Sequence, residues 1–206
     1  SDATMTLTAG THEGSFTDAI SATGFDLQND NLTIVGAGSA STTWRDFELK
    51  RTSYTNQTKI HIQDITLETD TVNYYAVYTK CTITTMDSIV IDGYSGDRNT
   101  LISDFSGSSY NKGPASNPGK YDNWLRRNGG AMRIQYGDYR AENHDATTPS
   151  LKDVEVKNCC RGIRIQDSSG IYVKDCSVYN VSDNGIYFAA GSYESDTGCN
   201  NCTVDT

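Results

Sequence analysis

The chain has 206 residues, 36% of them hydrophobic and 21% charged, with a formal net charge of −9 and a pI near 4.7. Phosphate backbones need a basic surface, so nucleic acid is excluded as the expected partner. No apolar run approaches the roughly 18 residues of a transmembrane helix, so no membrane span is expected. The 18 Gly and 13 Tyr, beside only 3 Pro, favour many short strands joined by turns.

A short strand pattern recurs along the chain, centred on an apolar residue with an outward-facing neighbour on each side. In chain order the centres are Leu7, Ile34, Ile62, Ile91, Ile134, Ile165 and Phe188. Most have another apolar residue two positions earlier, and period-two alternation puts both on one side of a strand. Further short strands are predicted at residues 65–67, 154–156 and 172–173, and around Ile83 and Val178. Such repeats cannot bury their apolar sides alone, so we expect them to stack as a β-solenoid.

Two asparagines support this stacking. Asn158 and Asn180 are separated by the same interval as Val156 and Val178. Asparagines in matching turns stack and bond their amides to neighbouring backbone. We therefore expect Asn158 and Asn180 at the same point of successive repeats.

Four segments carry a resemblance to a known group of proteins: residues 7–12, 31–38, 156–165 and 175–186. In these segments the chain resembles the pectin-lyase-like superfamily of right-handed parallel β-helix proteins. The resemblance implies one all-β domain over residues 1–206, with about seven coils and one long loop insertion at about 97–130. The superfamily includes polysaccharide lyases, hydrolases and epimerases, phage tailspikes, adhesins and catalytically silent solenoids, so the fold does not fix the function.

In the predicted register, outward residues form two rows. The first row is Thr6, Thr33, His61, Val90, Arg133, Arg164 and Tyr187, and the second is Thr8, Val35, Gln63, Asp92, Gln135, Gln166 and Ala189. Arginine binds carboxylates through a planar fork, and amides bond hydroxyl groups. Tyrosine can lie flat against a sugar. The alternative is a solvated polar surface in which Asp92, Asp138 or Asp167 neutralises the two arginines.

The predicted insertion adds basic and aromatic residues to an otherwise acidic chain. Loops of this length are typically functional or mobile. The alternatives are that it covers the lateral surface or contacts a neighbouring subunit. With the two rows, it defines the candidate ligand-binding residues: Gln63, Asp92, Arg133, Gln135, Arg164, Gln166, Tyr187, Trp124, Arg126 and Arg127.

Catalysis on a uronate polymer would need a base, and a cation to neutralise the carboxylate. Arg133 or Arg164 would supply the cation, and His61, His144, Tyr136 or Tyr139 would carry the proton. No complete signature of a lyase, hydrolase or epimerase family is present. The sequence therefore favours a non-catalytic protein.

No cofactor and no metal site are assigned. Acidic turns at residues 26–30 and 92–97 would suit calcium, but neither follows the EF-hand spacing or the nonapeptide calcium repeat. Solvated turns are the expectation there. No cluster of Cys and His has the spacing of a structural zinc site.

Six cysteines are present, and an even count permits disulfides and an oxidising compartment. One group of three precedes a β-branched residue by two positions and is expected to form buried thiols inside the stack: Cys81, Cys176 and Cys202. The others, Cys159, Cys160 and Cys199, are the better disulfide candidates.

The first repeat begins near Ser1, and residues 201–206 resemble the start of another coil. The chain is therefore either a fragment of a longer β-helix or a unit whose ends meet those of neighbours, head to tail, in a filament. We predict a structural or carbohydrate-contacting β-helix module of an extracellular or virion assembly, with itself and a polysaccharide or glycan as partners. The alternative is a lyase or C5-epimerase acting on uronate-containing polysaccharide.

Overall fold

The computed structural model describes residues 2–16, 31–51, 59–68, 75–79, 83–93, 130–135, 149–159, 161–181, 184–189, 199 and 202–205. This part of the chain is all-β and contains no helix. Its fifteen strands are β1 (Asp2–Thr6), β2 (Gly10–Phe16), β3 (Asn31–Val35), β4 (Thr42–Arg51), β5 (Lys59–Gln63), β6 (Thr66–Glu68), β7 (Tyr75–Thr79), β8 (Ile83–Asp92), β9 (Gly130–Gln135), β10 (Leu151–Lys157), β11 (Arg161–Gln166), β12 (Tyr172–Lys174), β13 (Ser177–Tyr179), β14 (Ile186–Ala189) and β15 (Thr203–Asp205). Among the described residues, no helix with the length and apolar character to cross a bilayer is found.

The strand pairings are parallel and sort into three ladders. Ladder 1 contains β1, β3, β5, the first halves of β8 and β10, then β12 and β15. Ladder 2 contains the first halves of β2 and β4, then β6, the second halves of β8 and β10, and β13. Ladder 3 contains the second halves of β2 and β4, then β7, β9, β11 and β14. The chain visits ladders 1, 2 and 3 in this order and then returns to ladder 1.

Residues with a left-handed backbone mark the bend between ladders 1 and 2. Asp64, Ser88, Asp153 and Asp175 follow matched positions of ladder 1 and have φ values of 56°, 55°, 50° and 51°. Short polar side chains tolerate this conformation because they bond to nearby backbone. The strands can therefore turn sharply here at residues other than glycine.

The bend between ladders 2 and 3 carries a row of side-chain amides. Asn158 and Asn180 have φ values of 56° and 52°, and the Asn180 amide donates to Asn158 Oδ1. Asn158 in turn donates to Asp92 Oδ1 at 2.7 Å. The predicted alignment of Asn158 with Asn180 is confirmed, and so is that of Val156 with Val178.

One apolar cluster takes residues from all three ladders. Ile62 of ladder 1, Val156 of ladder 2 and Ile165 of ladder 3 are each 0% exposed. In strands such as β3 and β5, alternate residues point into this cluster, as period-two patterning requires. Full burial of such a side chain stabilises the fold by about 1.5–3 kcal/mol, and this burial depends on the repeats that stack on either side.

The predicted alignment of strand centres is correct within ladder 3 and within part of ladder 1. Ile134 pairs with Ile165 and Ile165 with Phe188. Ile34 pairs with Ile62.

Two of the predicted centres are wrong. Met5, not Leu7, is the partner of Ile34. Ile91 belongs to ladder 2, where it pairs with Leu67 and Val156, so it continues neither the Ile62 nor the Ile134 alignment. The reason is that β8 bends at Ser88 and contributes inward residues to two ladders, which a single centre per repeat cannot describe.

Among the described residues, ladder 1 has seven strand positions, the last of which is β15 in the segment that resembles the start of another coil. The predicted insertion at residues 97–130 lies outside the described residues, except Gly130 at the start of β9.

Candidate functional site

Four outward residues of ladder 3 stand in line across consecutive strands. Tyr78 pairs with Arg133, Arg133 with Arg164, and Arg164 with Tyr187. Inward neighbours along the strands of Tyr78, Arg133 and Arg164, such as Val77, Ile134 and Ile165, are buried, while the four residues in line are partly exposed. We call them the tyrosine–arginine row.

Each arginine of the row packs against the tyrosine at its own end of the row. The Arg133 guanidinium carbon lies 4.6 Å from the centroid of the Tyr78 ring. The Arg164 guanidinium carbon lies 5.5 Å from the centroid of the Tyr187 ring. A cation over an aromatic face is attracted by the ring quadrupole. The row therefore accommodates two adjacent cations that would otherwise repel each other.

Two buried amides connect the row to a buried carboxylate. Tyr78 donates through its hydroxyl to Gln135 Oε1 at 2.8 Å, and Arg133 donates to Gln166 Oε1 at 2.8 Å. The amide nitrogens of Gln135 and Gln166 donate to Asp167 Oδ2 at 3.5 and 3.0 Å. Of the two suggested acids within the described residues, Asp92 and Asp167, it is Asp167 that belongs to the arginine site.

At the other end of the row, the Tyr187 hydroxyl lies 3.3 Å from the hydroxyl of Tyr75, which is buried. Burial, followed by this hydrogen bond, raises the pKa of Tyr187. Tyr187 therefore remains a neutral phenol, able to donate a hydrogen bond, throughout the physiological range.

His61 and Gln63 lie on ladder 1, apart from the row. His61 aligns with Thr33 and Thr85, and its Nδ1 is 2.8 Å from the Thr85 hydroxyl. Its Nε2 lies 3.0 Å from Gln63 Oε1, and Gln63 donates to Asp64 Oδ2 at 2.7 Å. The prediction that His61 shares a row with Arg133 is wrong, because the strands of the two residues belong to different ladders.

Asp92 and Val90 are also misplaced by the sequence prediction. Both lie on the ladder 2 half of β8, and Val90 pairs with Thr66. Asp92 accepts from the Asn158 amide and lies 3.8 Å from Lys157 Nζ. The bend of β8 at Ser88 separates Asp92 from the Gln135 and Gln166 alignment, which is confirmed. Thr6 and Thr8 do not align as predicted either, since Thr6 pairs with Val35.

Six of the candidate residues lie outside the described part of the chain: Trp124, Arg126, Arg127, Tyr136, Tyr139 and His144. The same holds for Asp138 and for most of the two acidic turns. Within the described ranges, no group of three or more His, Cys, Asp or Glu residues is arranged to hold a metal ion.

The cysteines are thiols where they are described. Cys176 is buried, as predicted, and burial raises its pKa. Cys159, predicted as a disulfide candidate, is instead a buried thiol whose sulfur donates to the carbonyl oxygen of Lys157 at 3.2 Å. Cys81 and Cys160 lie outside the described residues.

Sequence reasoning missed Tyr78, Tyr75 and Arg161. Tyr78 alternates with buried Val77 and Thr79, which is the signal of an outward strand residue. Arg161 begins β11 beside the row, and its charge acts on Tyr187.

No protein-family model matches this chain, and no curated protein or solved structure matches it at a significant level.

Proposed function

We propose that the three ladders close into a right-handed parallel β-helix. The repeated order of the ladders and their shared apolar cluster support closure. Parallel crossover connections are right-handed in about 98% of cases, which supports the hand. The proposal includes membership of the pectin-lyase-like superfamily, whose motifs the sequence resembles, and a place in an extracellular or virion assembly.

On this scaffold, we propose that the tyrosine–arginine row binds an acidic glycan. The observation that carries the proposal is the row itself: two guanidinium groups, on neighbouring strands, each oriented by a tyrosine ring. Guanidinium groups bind carboxylates and sulfates with two parallel hydrogen bonds. The positive charge of Arg161, at the start of β11, also acts on Tyr187.

The row gives a local positive charge to a chain whose net charge is −9. A uronate chain running along the ladder would meet successive cations at the strand spacing of about 4.8 Å. Tyr187, a neutral phenol, would bond a sugar hydroxyl. Because the Tyr78 ring and the Gln166 amide already orient Arg133, little side-chain entropy remains to be lost on binding.

Calorimetric titration with a uronic-acid oligosaccharide, and with a neutral oligosaccharide of equal length, tests the proposal. The wild-type protein should bind the acidic ligand alone, and more weakly as salt increases. Arg133→Ala and Arg164→Ala should each weaken binding by about 10- to 100-fold, since a hydrogen bond to a charged group contributes about 1.5–3 kcal/mol.

Lys152→Ala is the matched control. It removes one positive charge from ladder 1, where the lysine pairs with Asp87 and Asp153 at 3.5 and 3.2 Å. Equal losses in the control and in the arginine variants would mean that net charge, not the row, determines binding. Equal binding of the neutral ligand would also overturn the proposal.

The active-site alternative, a lyase or epimerase acting on the same class of polymer, is weaker. Its proposed base His61 and its proposed cation Arg133 lie on different ladders. Its other candidate bases, Tyr136, Tyr139 and His144, lie outside the described residues.

A second candidate function, end-to-end self-association, is favoured by the outermost described strands. Phe188 of β14 is 41% exposed and Val204 of β15 is 42% exposed. Their inner neighbours in the same alignments, Ile165 and Val173, are 0% exposed. At the opposite edge of ladder 1, Met5 of β1 is partly exposed as well. β1 and β15 are the two outer edges of the described part of ladder 1, and opposite edges of a parallel ladder are complementary. The β15 edge of one copy of the chain can therefore pair with the β1 edge of a second copy, in a heterologous, head-to-tail contact.

The solution mass, measured over a range of protein concentrations, tests this association. We expect the mass to grow with concentration and Phe188→Glu to abolish the growth. A single mass of one chain at every concentration would exclude the contact.

A further inference from the structure

Two thiols are in direct contact beside the bend that follows ladder 3. The side chains of Cys199 and Cys202 are hydrogen-bonded to each other. The Cys199 sulfur lies 3.3 Å from the carbonyl oxygen of Ile165 and 3.6 Å from that of Ala189. The Cys202 sulfur lies 3.7 Å from the carbonyl oxygen of Ser168. Both sulfurs are therefore held against the main chain of ladder 3 and its bend.

The surroundings of this pair differ from those of the other described cysteines. Cys159 and Cys176 are buried, whereas Cys199 and Cys202 are partly exposed at the edge of the apolar cluster. The two residues also have the C-x-x-C spacing, which occurs in disulfide oxidoreductases.

The contact makes the two thiols chemically unequal. The hydrogen bond from the Cys202 thiol lowers the pKa of Cys199 to about 6. The same hydrogen bond, followed by burial, raises the pKa of Cys202. Since the thiolate is the attacking species in disulfide exchange, the directions of these two shifts favour Cys199 as the attacking thiol and Cys202 as the resolving thiol.

We propose that Cys199 and Cys202 form a thiol–disulfide exchange site that reacts with low-molecular-weight disulfides. First, the Cys199 sulfur attacks one sulfur of the small disulfide. A bond forms between these two sulfurs, the disulfide bond of the substrate breaks, and the leaving thiolate takes up the proton that Cys199 lost. Next, the Cys202 sulfur attacks the Cys199 sulfur, and the second small thiol leaves with the proton of Cys202. Two protein thiols are oxidised by two electrons, and one small disulfide is reduced to two thiols.

The test equilibrates the intact protein with stepped ratios of oxidised to reduced glutathione and then blocks remaining thiols with N-ethylmaleimide. Digestion after Glu194, once the protein is denatured, releases residues 195–206, in which Cys199 and Cys202 are the only cysteines. The mass of this peptide should change from the doubly blocked form to the internal disulfide as the ratio rises. A peptide that stays doubly blocked in oxidised glutathione alone would overturn the proposal.

Two variants separate the roles of the thiols. Cys202→Ser should stop at the mixed disulfide between Cys199 and glutathione, whereas Cys199→Ser should form no internal disulfide. Faster modification of Cys202 than of Cys199 would contradict the assigned order. Cys176→Ser, the control, removes a buried thiol and should leave the response of the peptide unchanged.

Discussion

The guanidinium of Arg133 lies over the Tyr78 ring, 4.6 Å from its centroid, although the predicted insertion separates the two residues in sequence. The same tyrosine donates its hydroxyl to Gln135 at 2.8 Å. The Tyr78 side chain thus orients the Arg133 guanidinium with its ring and binds the Gln135 amide with its hydroxyl. Tyr78 is therefore the residue whose substitution best separates the two contributions.

Tyr78→Phe keeps the ring beneath Arg133 and removes the hydrogen bond to Gln135. We expect it to lower the free energy of unfolding by about 0.5–1.5 kcal/mol. Tyr78→Ala also removes the ring and should cost about 0.5–2 kcal/mol more through the lost cation–π contact alone. Urea denaturation of the three proteins measures both differences. Equal stability of the two variants would show that the ring contributes nothing.

At the bend after ladder 2, two substitutions of Asn158 separate the effect of its left-handed backbone conformation on stability from the effect of its amide contacts. Asn158→Gly loses the side-chain bonds to Asp92 and Asn180 but adopts a φ of 56° freely. Asn158→Ala loses the same bonds and in addition carries a side chain in this conformation, at a cost of about 1–2 kcal/mol. The alanine variant should therefore be the less stable in urea denaturation. A glycine variant as unstable as the alanine variant would contradict this account.

The sequence predicts those parts of the fold in which the alternation of apolar and polar residues along a strand matches the register of the stacked strands. In ladder 3, the triplets around Ile134 and Ile165 have the same alternation, so Arg133 aligns with Arg164 as predicted. The matching intervals of Asn158 and Asn180 likewise follow from one repeat of constant length.

The remainder could not be predicted because it depends on where long strands bend. β8 bends at Ser88 and belongs to two ladders, so Asp92 lies in ladder 2 and not beside Arg133. No local feature of Ser88 indicates this bend. Tyr78 joins the row across the insertion, where the repeat length changes and periodicity carries no information. The link from Asp167 to Arg133 depends on amide contacts that only the folded chain creates.

Gly162 in β11 and Gly185 just before β14 form a matched pair, each one residue before the paired Ile163 and Ile186. A Cβ at Gly162 would lie 2.2 Å from the Gly185 carbonyl oxygen and 2.6 Å from Val178 Cγ1. A Cβ at Gly185 would come no closer than 3.8 Å to Val178. Gly162→Ala should therefore lose about 1–3 kcal/mol or more through overpacking, while Gly185→Ala should change stability by less than about 1 kcal/mol. Thermal unfolding compares them, and a tolerated Gly162→Ala would contradict the close approach of these strands.

Glu155 should make stability depend on pH. The Tyr179 hydroxyl donates to it at 2.7 Å and Lys157 Nζ at 3.0 Å, and these contacts lower the pKa of Glu155 from its ordinary value of 4.5. The resulting stabilisation is present above that ordinary value and is lost as the pH falls through the lower folded pKa. Glu155→Gln should therefore be less stable than wild type at neutral pH, by up to about 1 kcal/mol given solvent screening. The difference should shrink on acidification, and a difference independent of pH would exclude the ionised contact.

Ile165 and Phe188 occupy the same inward alignment on adjacent strands but are 0% and 41% exposed. Ile165→Ala opens a cavity among packed side chains and should cost about 2–5 kcal/mol. Phe188→Ala removes a larger side chain, yet in the isolated chain it should cost less, because much of that side chain is already in water. Urea denaturation at low protein concentration gives this comparison. At a concentration where chains associate end to end, a second copy covers Phe188, so the cost of Phe188→Ala should rise while that of Ile165→Ala stays constant. Concentration-independent costs for both variants would count against the end-to-end contact.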